Sequence, residues 1–353
     1  MLISYLLLFL SLITPTLSCG TDGNQCDTWS PCCSSHGFCG NGYNFCGIGC
    51  QKEYSITDDN GKNACLLPPA CESKMYQFTD SSKFHPLDNY TGDYRSVEWA
   101  TTGQVEIQNN QLLIKMPKGS GGGRITSTRY VNFAKITASL KTSKGAGVIT
   151  SFITMAEDKD EIDFEWIGSN LNEVQSNYYY RGILDLTKGM KHPIQSSSYS
   201  EYHDYTIDWK EDELNWLVDN KIVRTLKKSD TLKDGQYNYP SSPSRIEIGI
   251  WDGGAGAEGT KEWAGGSINW DDPDITKQGY LFMALKSVNV ECYGPATSSD
   301  NDFSLVFEDG DNSNNNGMGL QVKTFYNSNG LTLYPNLILS TLLSIIYYSL
   351  INI

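Results

Sequence analysis

Histidine is nearly absent from this chain. Four occur in 353 residues, too few and too scattered for a metal site built on imidazoles. Basic residues are also short, 27 against 41 acidic, for a net charge of −14. That balance excludes a nucleic-acid partner, because phosphate binding needs a basic surface. It suits a soluble extracellular protein or a neutral substrate such as a polysaccharide. After residue 71 cysteine almost disappears, with Cys292 alone beyond it. What is present suffices for a core. Hydrophobic residues make up 39% and aromatics 12%, which excludes a wholly disordered chain. Glycine at 33 and tyrosine at 21 favour strands and turns over helices. The length allows two or three domains.

Both ends are apolar. Leu2 to Leu12 has the length of a signal-peptide core, and Thr16 and Ser18 are small residues at −3 and −1 for cleavage before Cys19. The run is too short to span a bilayer, so residues 1–18 are read as a signal peptide. At the other end, Leu337 to Ile353 carries no charge. A polar stretch with small residues precedes it, which is the pattern of a GPI-attachment signal. The attachment residue is Asn327, Ser328 or Asn329, with Asn316 an outside choice, and 329–353 is then removed. A membrane helix is the alternative, but the basic cytoplasmic flank is missing. Residues 297–328, rich in Asn, Ser and Asp, read as a solvated stalk. The expected place, by the secretory pathway, is the cell surface, at the plasma membrane through the GPI lipid and/or in the cell wall.

Nine of the ten cysteines lie between residues 19 and 71. That density reads as a disulfide framework in an oxidising compartment, since so short a segment cannot bury enough apolar surface without staples. The adjacent Cys32-Cys33 pair does not suit a zinc-binding CxxC clamp. The run Cys32-Cys-Ser-Ser-His-Gly-Phe-Cys-Gly40 with Phe45-Cys46 resembles the hevein-type chitin-binding module. The resemblance implies the pairings Cys19–Cys33, Cys26–Cys39 and Cys32–Cys46. It also implies a sugar platform of Ser34, His36, Phe38 and Phe45, with aromatic rings stacking on sugar faces and the Ser hydroxyl holding an N-acetyl carbonyl. His36 stands where the family has an aromatic residue, so weaker binding is expected. The partner of Cys50 stays open among Cys65, Cys71 and Cys292. The module is placed at 19–52 and a linker at 53–71.

From 72 to 296 the chain alternates in polarity. The segments Leu112–Met116, Ile136–Leu140, Val148–Thr154, Tyr205–Trp209, Leu214–Val218, Ile246–Ile250 and Leu281–Val290 read as strands. Clusters of Gly, Asn, Asp and Pro separate them, and no convincing helical stripe interrupts them. Many strands in one block predict an all-β sandwich or jelly roll. Asn89-Tyr-Thr91 is a glycosylation sequon, which requires an exposed loop.

The most informative stretch is Asp160-Glu-Ile-Asp-Phe-Glu-Trp166. In a strand, Glu161, Asp163 and Glu165 share one face, while Ile162 and Phe164 take the other. Three neighbouring carboxylates repel one another and raise one another's pKa, which a structural sheet gains nothing from. An acidic edge or a calcium site is disfavoured by the apolar reverse face. The Cα atoms of Glu161 and Glu165 are about 13 Å apart at about 3.3 Å per residue. Side chains leaning together reach the roughly 5–5.5 Å separation of a retaining glycosidase.

This motif resembles the catalytic strand of glycoside hydrolase family 16, a β-jelly roll. Supporting stretches are His203 to Trp209, Arg245 to Gly254 and Gly259 to Gly266. With the chitin-type module and the anchored tail, the chain is similar to the fungal Crh-type cell-wall transglycosylases. The resemblance implies Glu161 as nucleophile, Glu165 as acid/base and Asp163 as the assisting residue. Arg245, Trp251 and Thr260 are then expected to line the sugar cleft. It also implies chitin and β-glucan as partners, and neither metal nor cofactor. A β-glucan endo-hydrolase of the same fold and a non-catalytic chitin-binding surface protein are the alternatives.

Overall fold

The computed structural model describes residues 18–20, 24–34, 36–47, 50–58, 63–65 and 71–293, and the short strands Leu305–Glu308 and Gln321–Thr324. The signal peptide (apart from Ser18), most of the stalk and the attachment residues Asn327, Ser328 and Asn329 lie outside the described residues. The chain divides into two compact units, Met1–Leu66 and Leu67–Ile353.

In the first unit disulfides stand in for a core. Bonds join Cys19 to Cys33, Cys26 to Cys39, Cys32 to Cys46 and Cys50 to Cys65. The regular structure is slight: the strands Cys32–Cys33 and Cys39–Gly40 pair antiparallel, and one helical turn spans Tyr43–Cys46. The linker expected from residue 53 needs correction. The amide of Ile56 donates to Pro31 O at 2.8 Å, and that of Ala64 to Ile56 O at 2.8 Å. The fully buried Ser55 accepts from the Cys33 amide. These bonds and the Cys50–Cys65 bridge carry the compact unit well beyond residue 52.

The second unit is a sandwich of two eight-stranded sheets. One sheet runs, in spatial order, Met190–Pro193, Glu173–Tyr179, Glu161–Ile167, Val148–Ala156, Ser244–Asp252, Gly122–Val131, Trp99–Thr102 and Phe84–Pro86. Its pairings are antiparallel except the last, which is parallel. The other runs Lys221–Lys227, Glu213–Val218, His203–Trp209, Ala134–Lys141, Tyr280–Cys292, Gln111–Pro117 and Gln104–Gln108, with Lys74–Gln77 also on Tyr280–Cys292. Every strand expected from alternation is present, lengthened by one to four residues.

Alternation decides which face is buried. On Ala134–Lys141 the burial repeats strictly with period two, with Ala134, Ile136, Ala138 and Leu140 inaccessible. The inner faces interdigitate through aromatic rings. Trp166 meets Tyr205 edge-on at 4.4 Å, and Phe164 meets the same ring at 5.7 Å. The buried indole of Trp209 donates to Pro240 O and that of Trp216 to Asp163 O, both at 3.0 Å. Removing one such ring costs about 3–5 kcal/mol. The Cys71–Cys292 disulfide ties the start of the body to the end of its last long strand. Asn89 is exposed at the end of the turn Leu87–Asn89.

Candidate active site

The carboxylate strand Glu161–Ile167 is third from one edge of its sheet. Its reverse face is sealed: Ile162, Phe164 and Trp166 are buried in the core. That burial fixes the register, because a slip of one residue would drive three carboxylates into the sandwich. The turn before the strand is also fixed. Asp160 is buried, and its carboxylate accepts the amides of Arg181 at 2.9 Å, Ser241 at 2.7 Å and Ser242 at 3.1 Å. Lys159 turns the corner at a φ of 69°.

Register then assembles the open face. Glu161 pairs with Tyr179 and Met155, Asp163 with Asn177 and Ile153, and Glu165 with Gln175 and Ser151. Glu161 and Glu165 open into one cleft of about 450 Å³. Arg124, Glu247 and Trp251 also line it, as do Gly122, Gly123 and Gly249. Glycine is required at 122: its φ is +131°, and a Cβ there would lie 2.1 Å from the Ile250 carbonyl oxygen. The backbone floor opposite Trp251 therefore stays bare.

The three carboxyls differ in electrostatic setting. Burial pushes the Glu165 carboxyl up to about 7, and the charge of Glu161 adds to the shift. Asp163 is inaccessible and goes well above the usual range, again through burial, with both glutamates adding to it. Glu161 is raised by burial too, but its hydrogen bond with Asp163 opposes the shift. Among the described residues the second Asp163 oxygen, Oδ1, has no hydrogen-bond partner. Near neutral pH the arrangement favours a proton on Glu165, a proton on Asp163 pointed at Glu161, and an ionised Glu161.

The other expected residues divide. Trp251 lines the cleft and stacks on Trp263, 6.0 Å away and 27° from parallel. Arg245 shares the cleft-facing side of its strand by alternation, but it is buried and its Nε donates to Ser127 O at 2.9 Å. Neither Arg245 nor Thr260 is among the lining residues. Thr260 sits on the short helix Glu258–Trp263, beside Gly256. In the first unit Ser34 is buried, its Oγ accepting the Phe38 amide at 3.3 Å, while His36 and Phe38 are exposed and Phe45 is half-buried. The sulfurs of Cys19, Cys26 and Cys33 lie within 4.8 Å of one another. All three are in disulfides, so none is a thiolate able to bind a metal.

Two residues at or beside the cleft escaped the sequence reading. Glu247 faces Asp163 across Ile153 and is paired with Arg124 at 3.1 Å. The period-two alternation of Arg245-Ile-Glu-Ile-Gly-Ile-Trp251 held the signal for it. Trp263 is anchored by its indole, which donates to Gln175 Oε1 at 3.0 Å. No local pattern announces that contact, since 88 residues separate the pair.

A β-jelly roll whose open cleft presents paired glutamates with separated protonation, next to stacked aromatic rings, defines a carbohydrate-active enzyme of the glycosidase and transglycosylase class. Residues 93–272 match the model of glycosyl hydrolases family 16, and the chain belongs to that family. It is 38% identical over 258 residues to Crh-like protein 2 of Aspergillus fumigatus, covering 71% of this chain and 57% of that protein. It is 37% identical over 257 residues to Congo red hypersensitive protein 2 of Saccharomyces cerevisiae, covering 71% and 54%. The chain thus spans little more than half the length of these relatives. Among solved structures it is similar to the apo Crh5 transglycosylase, with TM-score 0.54, 29% identity and coverage of 65% of this chain and 90% of that one. The Crh5 transglycosylase in complex with NAG matches with TM-score 0.55 and 29% identity, covering 65% and 87%.

Proposed function

We propose that this chain is a cell-surface transglycosylase of the fungal wall, which cleaves chitin by a retaining double displacement and passes the released chain to β-glucan. The observation that carries the reading is the pair Glu161 and Glu165 in one cleft with their protonation split. In the first step a Glu161 oxygen bonds to the anomeric carbon. The glycosidic C–O bond breaks, and the Glu165 proton goes to the leaving oxygen. In the second step an acceptor sugar hydroxyl bonds to the same carbon, its proton goes to Glu165, and Glu161 leaves as carboxylate. Asp163 holds Glu161 by their shared hydrogen bond and changes its share of the proton as charge leaves and returns. Trp251 and Trp263 offer ring faces for sugar stacking. The N-terminal unit serves as the chitin-binding module through Ser34, His36, Phe38 and Phe45, and a GPI lipid holds the protein at the membrane. The NAG bound to the similar Crh5 transglycosylase agrees with an N-acetylglucosamine polymer as donor.

Incubating the purified protein with chito-oligosaccharides and fluorescent laminari-oligosaccharides tests this. The expected product is a fluorescent hybrid longer than its acceptor, absent with Glu161→Gln. Shortened oligosaccharides with no hybrid would identify a hydrolase. No turnover of either sugar would remove the enzymatic reading and leave a chitin-binding surface protein.

A further inference from the structure

Arg224 is a buried cation that this chemistry leaves unused. It stands on the edge strand Lys221–Lys227 of the sheet opposite the cleft sheet, yet its guanidinium reaches across the sandwich. Nη1 donates to Ser176 O at 2.9 Å and to Ser176 Oγ at 3.0 Å, and Nη2 donates to Lys188 O at 2.8 Å. Ser176 lies on the strand beside the carboxylates, in register with Phe164. The guanidinium carbon also sits 4.5 Å from the centre of the Trp216 ring. Trp216 is itself inaccessible, and its Nε1–H donates to the backbone oxygen of Asp163 at 3.0 Å. Arg224 is only 9% exposed, and among the described residues its hydrogen bonds all go to neutral oxygens. A guanidinium buried with no touching anion is expensive for a purely structural clamp.

We infer that Arg224 is a positioning residue for the carboxylate strand: clamped to the neighbouring strand and stacked on the indole that holds the Asp163 carbonyl, it supplies the interior positive charge against which the Glu161–Asp163 pair ionises. The inference rests on the catalytic reading above for its meaning in turnover. The groups facing the pair account for the need. Glu165 and Glu247 add negative charge, and Tyr179 stands in register with Glu161 on the neighbouring strand. Lys159 favours ionisation of Glu161, and Arg224 favours that of Asp163. Around Arg224 itself lie Tyr178, Lys188 and His192, of which only Tyr178 becomes an anion on losing its proton. His192 Nε2 is hydrogen-bonded to the Ser176 hydroxyl oxygen, which also accepts from Arg224, and burial with the Arg224 charge lowers the pKa of its ring.

Arg224→Met keeps the apolar stem and removes the charge. The pair then sheds its first proton at higher pH. The acid limb of kcat/KM should move up by about one pH unit, and kcat should fall about tenfold with KM changed less than about twofold. Arg224→Lys keeps the charge without the fork and should return most of the limb shift. Trp216→Phe keeps an aromatic ring beside the guanidinium and removes the N–H together with part of the indole, so kcat should fall about tenfold with the limb in place. A wild-type limb in Arg224→Met, or a limb that Arg224→Lys does not return, overturns the inference. So does full kcat in Trp216→Phe, the arm that decides should Arg224→Met fail to fold. Carbon-13 titration of the Glu161 and Asp163 carboxyls, read without substrate, separates this inference from the catalytic reading. Titration unchanged by Arg224→Lys and Arg224→Met sinks the inference even in an active enzyme. Titration shifted upward by Arg224→Met and returned by Arg224→Lys supports it even if the wild type turns over neither sugar.

Discussion

Glu161 and Glu165 have the same side chain and opposite duties in the proposed mechanism, and their surroundings make the difference. Glu165 carries a proton up to about pH 7 because burial and the Glu161 charge oppose its ionisation. At Glu161 burial raises the pKa too, but the hydrogen bond with Asp163 opposes the rise. The two amide variants should therefore fail differently. With an activated aryl chito-oligoside, Glu165→Gln still has its nucleophile and should trap a sugar on Glu161, seen as a mass increment on the peptide containing 160–166. External azide should then give a sugar azide of retained configuration, whereas Glu161→Gln should give neither adduct nor azide by that route. An inverted azide from Glu165→Gln would reverse the role assignment. Stability should follow the same carboxyl. Its folded value of about 7 lies above the ordinary 4.5, so the unfolded chain gives up the proton first. The stability Glu165 contributes is whole below pH 4.5 and is lost as pH rises through about 7, by at most about 3 kcal/mol. Urea unfolding across that window should show the fall in the wild type and a flatter profile in Glu165→Gln.

At the scale of elements, the cleft is built by strand register and finished by one short helix. The strand Ser244–Asp252 carries Arg245, Glu247, Gly249 and Trp251 on one face, and the strand Glu161–Ile167 carries the carboxylates on the same side. The helix Glu258–Trp263 then delivers Trp263 against Trp251, anchored by Gln175 opposite Glu165. Trp263→Ala should raise KM for chito-oligosaccharides about 10-fold with a smaller effect on kcat, since a ring face worth about 1.5 kcal/mol contributes to binding in both states. Gln175→Leu leaves the ring and removes its anchor, so it should produce a weaker change in the same direction. Unchanged KM in Trp263→Ala would remove Trp263 from the sugar platform.

For the whole molecule, two units solve the stability problem differently. The first contains four disulfides within residues 19–65 and a core made largely of their sulfurs. Such bonds place the chain in an oxidising compartment. The second relies on a packed sandwich closed by the Cys71–Cys292 bond, which spans 221 residues. A loop of that length gives the bond an entropic worth of about 5 kcal/mol in the chain-constraint account. The double variant Cys71→Ser, Cys292→Ser should lower the melting temperature of the body by several degrees and leave kcat near wild type, because the bond is remote from the cleft in the strand order. Scanning calorimetry checks the first expectation and oligosaccharide turnover the second.

Local pattern determined much of this protein. Period-two alternation set the strands and their buried faces, because a pleated backbone sends successive side chains to opposite sides. The same rule put Glu161, Asp163 and Glu165 on one face before any partner strand was known. Tertiary structure decided what depends on distant chain segments. Cysteine spacing left Cys50 with three candidate mates, and only folding brought Cys65 to it and Cys292 to Cys71. Alternation put Arg245 on the cleft side, but there it is buried with its Nε bonded to Ser127 O, and that contact lies 118 residues away in sequence. Glu247, Trp263 and Arg224 are held by partners distant in sequence. The charge on Arg224 and the carboxyls of Asp163 and Glu165 acquire their properties from burial. A sequence pattern marks a face as polar or apolar, but the depth of water exclusion at a single atom is set only when the two sheets close.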